Sequence, residues 1–323
     1  MTRCCRIVLQ VSLAALLPLT AADLGSAATY PSKSIVLTVH SSPGGGADIL
    51  GRHMAEALKA QKINAVVENR SGGSGAVNLA YLVSRPADGY TLGIATASLL
   101  ISRHIANLPL SFRDFKPVAM LQTEEYAIVS RSDGRWKTME TLLDDMKKNP
   151  GKTKLGGGMM GSTDSLIAFQ LFNKLGVKPA YVPYENGADM TVALLGNQLE
   201  VSIVNPMEAL AQIKSGQFRV LSMVTEKRSD FFKDVPTMKE LGIDVTALQW
   251  RGVWAPKSTP DDIVNTAAEF FKKALQEPNV KKYMTDGMLA EAYLGPADFQ
   301  KVMEKQDLAF AQLIDELGLR KKK

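Results

Sequence analysis

Ser41-Ser42-Pro43-Gly44-Gly45-Gly46-Ala47-Asp48 joins two segments of different periodicity. Before it, residues 35–40 form a short β-rich run bounded by turn residues, the pattern of a buried strand. After it, a helix is expected from Asp48, with Leu50, Met54, Ala57 and Leu58 on one face at i, i+4, i+7, i+8. Residues 65–69 read as the next strand, and residues 90–96 as another, after the turn Pro86-Ala87-Asp88-Gly89. This β-α-β-α-β order predicts a parallel sheet with helices on both faces.

A second unit of the same kind starts near Glu125. Residues 126–130 read as a strand and residues 138–148 as a helix stopped by Asn149-Pro150. Residues 152–155 read as short and extended, and a helix over 163–175 ends at Gly176. Strands over 181–184, 201–204 and 219–224 alternate with two more helices. Residues 245–253 then lead to a C-terminal region with helices near 261–275 and 298–317. No repeat or low-complexity linker separates the units, so crossing strands are expected to join them. The expected domains are residues 29–124 plus 250–323, and residues 125–249.

A second glycine-rich loop, Gly156-Gly157-Gly158-Met159-Met160-Gly161-Ser162-Thr163-Asp164, also lies between a strand and a helix. Glycines let a ligand approach backbone N–H groups, and the helix behind each loop adds the partial positive charge of its N-terminus. In open α/β sheets this edge is where ligands bind. One loop per unit therefore suggests two anion-seeking faces across a cleft. Each helix terminus contributes about 0.3–1 kcal/mol when exposed and up to ~2 when partly buried. Charge-assisted hydrogen bonds add roughly 1.5–3 kcal/mol each. Several together reach the roughly 8 kcal/mol of micromolar binding. Tight turns alone would also explain the glycines, and Asp48 has an alternative role as a helix cap.

Other classes find little support. His40, His53 and His104 stand in no metal-ligand spacing, and no Gly-x-Ser-x-Gly elbow occurs. Neither glycine loop ends in Gly-Lys-Ser/Thr, and residues 71–75 read as a strand-to-helix turn rather than a dinucleotide loop. The N-terminus carries Arg3 and Arg6, an apolar run over 7–19 too short to span a bilayer, and Ser26-Ala27-Ala28. A secretory signal over residues 1–28, cleaved near Ala28, is expected. It would remove Cys4 and Cys5, the two cysteines of the chain. The formal charge of +5, mostly dispersed except at Arg320-Lys321-Lys322-Lys323, does not suggest nucleic-acid binding.

Tyr30-Pro31-Ser32-Lys33, Pro43-Gly44-Gly45-Gly46 with Asp48, Glu68-Asn69-Arg70 with Gly72, and Pro86-Ala87-Asp88-Gly89-Tyr90-Thr91 succeed one another at specific intervals. Val182-Pro183-Tyr184, Leu194-Leu195-Gly196, Asp234-Val235-Pro236-Thr237 and Trp250-Arg251-Gly252 follow. In this order the chain resembles the substrate-binding proteins of tripartite tricarboxylate transporters, the Bug-type receptors. The resemblance implies an α/β periplasmic binding protein fold (type II-like), two α/β domains closing on a ligand held in the cleft between them. It implies a monomeric, non-catalytic periplasmic receptor, without metal or cofactor, that delivers a small organic carboxylate, such as a di- or tricarboxylate or an aromatic acid, to one large and one small membrane subunit. It places the carboxylate at residues 41–48 and 157–164, here Ser41, Ser42, Gly44, Gly45, Gly46 and Asp48, with Gly158, Gly161, Ser162, Thr163 and Asp164 opposite. Many relatives carry an aromatic residue or proline at Ser41 and Ser42, so a more polar pocket mouth is expected here; close ones carry a histidine at Ser165, and without it the ligand of those relatives does not carry over to this chain.

From strand ends, Thr96, Ser98 and Asn205 are also expected to face the cleft. Arg251 suits a second carboxylate through its planar fork, or equally a salt bridge fixing the crossover strand. Two other functions use the same cleft: a sensory module presenting the acid to a membrane signalling protein, and an enzyme acting on it. Loss of uptake against loss of induction separates transport from sensing.

Overall fold

The computed structural model describes residues 30–105, 108–178 and 180–320. The expected leader and residues 321–323 of the cationic tail lie outside the described residues.

The chain opens with β1 (Ile35–Val39), α1 (Gly46–Ala60), β2 (Ala65–Asn69), α2 (Ala76–Val83), β3 (Thr91–Thr96), α3 (Ser98–Ile105) and β4 (Phe115–Glu125). Next come β5 (Ala127–Arg131), α4 (Met139–Lys148), β6 (Leu155–Gly158), α5 (Thr163–Leu175), β7 (Tyr181–Tyr184), α6 (Gly187–Leu195), β8 (Val201–Val204), α7 (Leu210–Lys214) and β9 (Phe218–Met223). The last part holds β10 (Leu248–Pro256), α8 (Asp261–Ala274), α9 (Pro278–Asp286), β11 (Ala290–Leu294) and α10 (Pro296–Glu316). A six-stranded sheet has the order β11-β4-β10-β3-β1-β2, and a five-stranded sheet the order β7-β6-β8-β5-β9. The chain passes from the first to the second at Tyr126, between β4 and β5, and returns through residues 224–247 into β10.

Both sheets are mixed, which corrects the expectation of a parallel one. β1 pairs in parallel with β2 and β3, as the β-α-β-α-β pattern requires. β10 then runs antiparallel between β3 and β4, with Arg251 opposite Thr96 on one side and Gln122 on the other. In the second sheet β6 pairs in parallel with β7 and β8, while β5 is antiparallel to β8 and β9. The eleven-residue β4 escapes the sequence pattern because Pro117, Gln122 and Glu124 interrupt its apolar run, yet all three are buried.

Helices cover both faces of the first sheet. Leu50, Met54 and Leu58 of α1 pack with Phe271 of α8 on one face. Trp250 and Trp254 pack with Phe299 of α10 on the other, so both tryptophans are core residues. Local chemistry sets several helix ends. Thr138 and Thr141 cap α4 reciprocally, Ser162 caps α5, and Gly176 ends α5 with a left-handed φ of 65°. No described helix is long and apolar enough to cross a membrane.

One strand lies elsewhere than the pattern suggests. β6 occupies Leu155–Gly158, so Gly156, Gly157 and Gly158 all belong to the strand, with only Gly158, at its end, lining the cavity. A Cβ on Gly156 would collide with Leu199, and one on Gly157 with Tyr181. These two glycines serve close packing inside the sheet.

Candidate functional site

Between the two sheets, where strands end and helices begin, lies a cavity of about 780 Å³ including its open mouth. Loops of both sheets line it. Ten expected residues are brought together there: Ser41, Gly45, Gly46, Thr96 and Ser98 from one side, Gly158, Ser162, Asp164 and Asn205 from the other, and Arg251 on β10.

Five expected residues do not line it. The carbonyl of Ser42 accepts from the Gly45 N–H at 3.2 Å, closing the turn. The Gly44 N–H donates to Asp48 Oδ2 at 2.9 Å, with Gly44 at φ 85°. Asp48 is buried and also accepts from Arg52 Nε at 3.0 Å and Asn69 Nδ2 at 2.9 Å. Burial pushes its carboxyl up, but these bonds outweigh burial and hold it below the usual range. Asp48 therefore anchors the loop from within α1, which starts two residues earlier than its periodicity suggests. Gly161 and Thr163 face α3 of the opposite unit. The Ser102 hydroxyl donates to the Gly161 carbonyl at 3.2 Å, and the Thr163 N–H donates to Ser98 Oγ at 3.2 Å.

The cavity also holds residues the sequence reading passed over. Gly72, Ser74 and Gly75 line it from the turn before α2, and Ser74 Oγ donates to the Met160 carbonyl across the cleft at 3.1 Å. Gln249 lines it from β10, and Gly187 from the start of α6. Glu208 is the most consequential. A short 3-10 turn over Pro206–Ala209 follows β8, and it aims the Glu208 carboxylate across the cleft at the start of α1. There Oε1 accepts from the Gly46 N–H at 3.1 Å. The carboxylate also packs so tightly on Gly187 that a Cβ there would collide with it. Glu208 stands three residues beyond Asn205, so the same end-of-strand rule extended by one turn would have reached it.

Arg251 realises the salt-bridge alternative. Its Nη2 donates to Glu124 Oε2 at 2.7 Å and its Nε to Glu124 Oε1, a two-point ion pair between neighbouring antiparallel strands. Arg251 is 4 % and Glu124 1 % exposed, so the pair is desolvated. Burial works against the guanidinium charge, but Glu124 more than offsets it and raises the Arg251 pKa further. Asn205, on the opposite unit, donates to the Glu125 carbonyl at 2.8 Å and pins the crossing point.

The titratable groups around the cavity are predominantly acidic. Burial raises the Asp164 carboxyl, although the Gly158 N–H and Ser162 bonds oppose it. Burial pushes Glu208 up to about 7, against the pull of Arg251. Burial, with Arg251 second, lowers His40 to about 4, leaving a neutral imidazole at pH 7. Among the described residues no group of three or more His, Cys, Asp or Glu side chains could hold a metal ion.

Two mixed α/β sheets meeting at a polar cleft define the class of periplasmic solute-binding proteins. Residues 50–319 match the family described as "Tripartite tricarboxylate transporter family receptor", and the chain belongs to that family. It is 31 % identical to the protein BugT of Bordetella pertussis over 79 % of this chain and 80 % of that one. The structure of the periplasmic binding protein BugD is similar with a TM-score of 0.85 and 25 % identity, covering 91 % of this chain and all of that one. A solute-binding protein from Polaromonas, solved without ligand, is 31 % identical with a TM-score of 0.68, covering 89 % of this chain and all of that one.

Proposed function

We propose that the protein is an exported receptor whose two lobes close on a small organic carboxylate and deliver it to a membrane transporter. The observation that carries this reading is the cleft itself, where polar groups from both sheets converge and bond to one another across the opening. Ser74 to Met160, Ser98 with Thr163, Ser102 to Gly161 and Gly46 to Glu208 are the contacts that draw the lobes together. At roughly 0.5–1.5 kcal/mol net for each neutral hydrogen bond, and roughly 1.5–3 for the one to the Glu208 carboxylate when ionised, they sum to a few kcal/mol. A ligand that contacts both sides supplies differential binding of the same size, enough to shift an open–closed equilibrium.

The two lobes correspond to residues 29–124 with 250–323 and to residues 125–249. The leader at residues 1–28 suits export to the periplasm, and the family suits a large and a small membrane subunit as recipients. Ser41, Thr96, Ser98 and Ser162 offer hydroxyl donors to the ligand carboxylate. The test is a thermal-shift screen of the mature protein against aliphatic and aromatic acids, including amino acids. A bound ligand at a hundredfold excess over Kd stabilises by about 2.7 kcal/mol, a shift of several degrees. Stabilisation by one chemical class supports the receptor; a flat response to every acid refutes it.

A further inference from the structure

We infer that Glu208 selects the ligand's chemical class: it excludes a second carboxylate from the start of α1 and favours a carboxylate that also carries a cationic nitrogen. The inference rests on the receptor reading above and specifies its ligand.

The glycine loops alone suggest two sites for anions. In the folded chain each is already taken by a carboxylate of the protein. Asp164 accepts from the Gly158 N–H in the second loop, and Glu208 accepts from the Gly46 N–H in the first. The cation nearest to hand, Arg251, is paired at two points with Glu124. Among the described residues no lysine, arginine or histidine forms an ion pair with Glu208. His40 is neutral, so it contributes no positive charge to the lining. Above the Glu208 pKa a dicarboxylate would therefore bring two further negative charges to a cavity lined by Glu208, Asp164 and Glu185, whose nearest cation is already paired, and like charges in a partly desolvated site repel strongly.

A second observation points the same way. Gln249 is 4 % exposed and lines the cavity, and its Nε2 donates to Ser98 Oγ at 3.4 Å. Its Oε1 is buried without a partner. A buried acceptor without a donor is costly, and it calls for a donor from whatever fills the cavity. An ammonium or protonated amine meets both needs, as a counter-charge for Glu208 and a donor to Gln249. The carboxylate of the same ligand is left to the hydroxyls of Ser41, Ser98 and Ser162. Rejection of diacids by an unneutralised charge is specificity by repulsion as well as attraction.

The experiment compares matched pairs by calorimetry at pH 8: 4-aminobutyrate against glutarate and β-alanine against succinate, with the common α-amino acids alongside. The wild-type protein is expected to bind an aminocarboxylate at least tenfold more tightly than the diacid of equal length. Glu208→Gln should narrow or invert that ratio by roughly 10- to 100-fold, the range of one charge-assisted bond. Glu208→Asp, which keeps the charge, should retain the preference, and unchanged thermal unfolding of both variants shows that they fold. Since Glu208 titrates near 7, the preference should also weaken between pH 8 and pH 6 in the wild type and not in Glu208→Gln. A diacid bound as tightly as its amino counterpart, or an unchanged ratio in Glu208→Gln, overturns the inference while leaving the receptor intact. Binding of no acid from either set overturns the receptor reading and this inference with it.

Discussion

Replacing Arg251 by methionine keeps much of the side-chain volume and removes one member of a desolvated ion pair. In the native fold the guanidinium meets Glu124 at two points, and both residues lie in the middle of the first sheet at 4 % and 1 % exposure. No other arginine, lysine or histidine among the described residues forms an ion pair with Glu124, so the variant leaves a carboxylate buried in apolar and amide surroundings. Breaking a buried pair from one side costs about 3–5 kcal/mol. For a chain of this length about 2 °C of melting temperature accompanies each kcal/mol, so a drop of about 6–10 °C is expected. The double variant Glu124→Gln with Arg251→Met removes both charges and should recover at least half of that loss, because replacing both members of a buried pair is often neutral. Thermal unfolding followed by circular dichroism, with the four proteins forming a double-mutant cycle, gives the coupling directly. A single-variant cost below about 1 kcal/mol, or strictly additive losses, would refute the claim that this pair holds β10 to β4.

Gly46→Ala should weaken ligand binding by tenfold or more, since its Cβ would collide with Arg251 Nη2; calorimetry that finds native affinity would show that the loop can yield there. Gly161→Ala places a Cβ 3.0 Å from the Ser102 backbone at a left-handed φ of 96°, so closure should suffer. Small-angle scattering should then show a smaller ligand-dependent contraction than in the wild type, while ligand ranking stays the same. His40 should make the protein acid-sensitive. Its folded pKa of about 4 lies below the usual 6.5, so the stability it contributes is present above pH 6.5 and is lost as pH falls towards 4. The loss amounts to at most about 3 kcal/mol, and His40→Gln should flatten the stability curve over that window in urea titrations. Parallel curves for the two proteins would remove His40 as the cause.

Much of the fold is carried by short-range information. The strand-turn-helix passage around Ser41–Ser42–Pro43, the capping threonines of α4, and Gly176 at the end of α5 all act within a few residues, and each is readable without knowing its neighbours in space. The same holds for the positions of Thr96, Ser98 and Asn205, because strand ends in an α/β sheet face the ligand edge whatever the topology. The sequence order of motifs also pointed to the family. The chain alone did not reveal which strands become neighbours. The identity of β4 depends on β10 and β11 pairing with it, and its polar residues disguise it until those partners supply bonds.

The site divides along the same line. Glycine loops and hydroxyls were visible as composition and spacing. Asp164, which fills the second loop, lies within it, but the carboxylate that fills the first was not visible, because Glu208 reaches Gly46 across 162 positions; the pairing of Arg251 with Glu124 likewise spans 127. A sequence specifies local conformation through torsional preference and periodicity. Electrostatic balance is set by proximity in a desolvated interior, and that proximity exists only once β10 has paired with β4 and the two lobes have folded against each other.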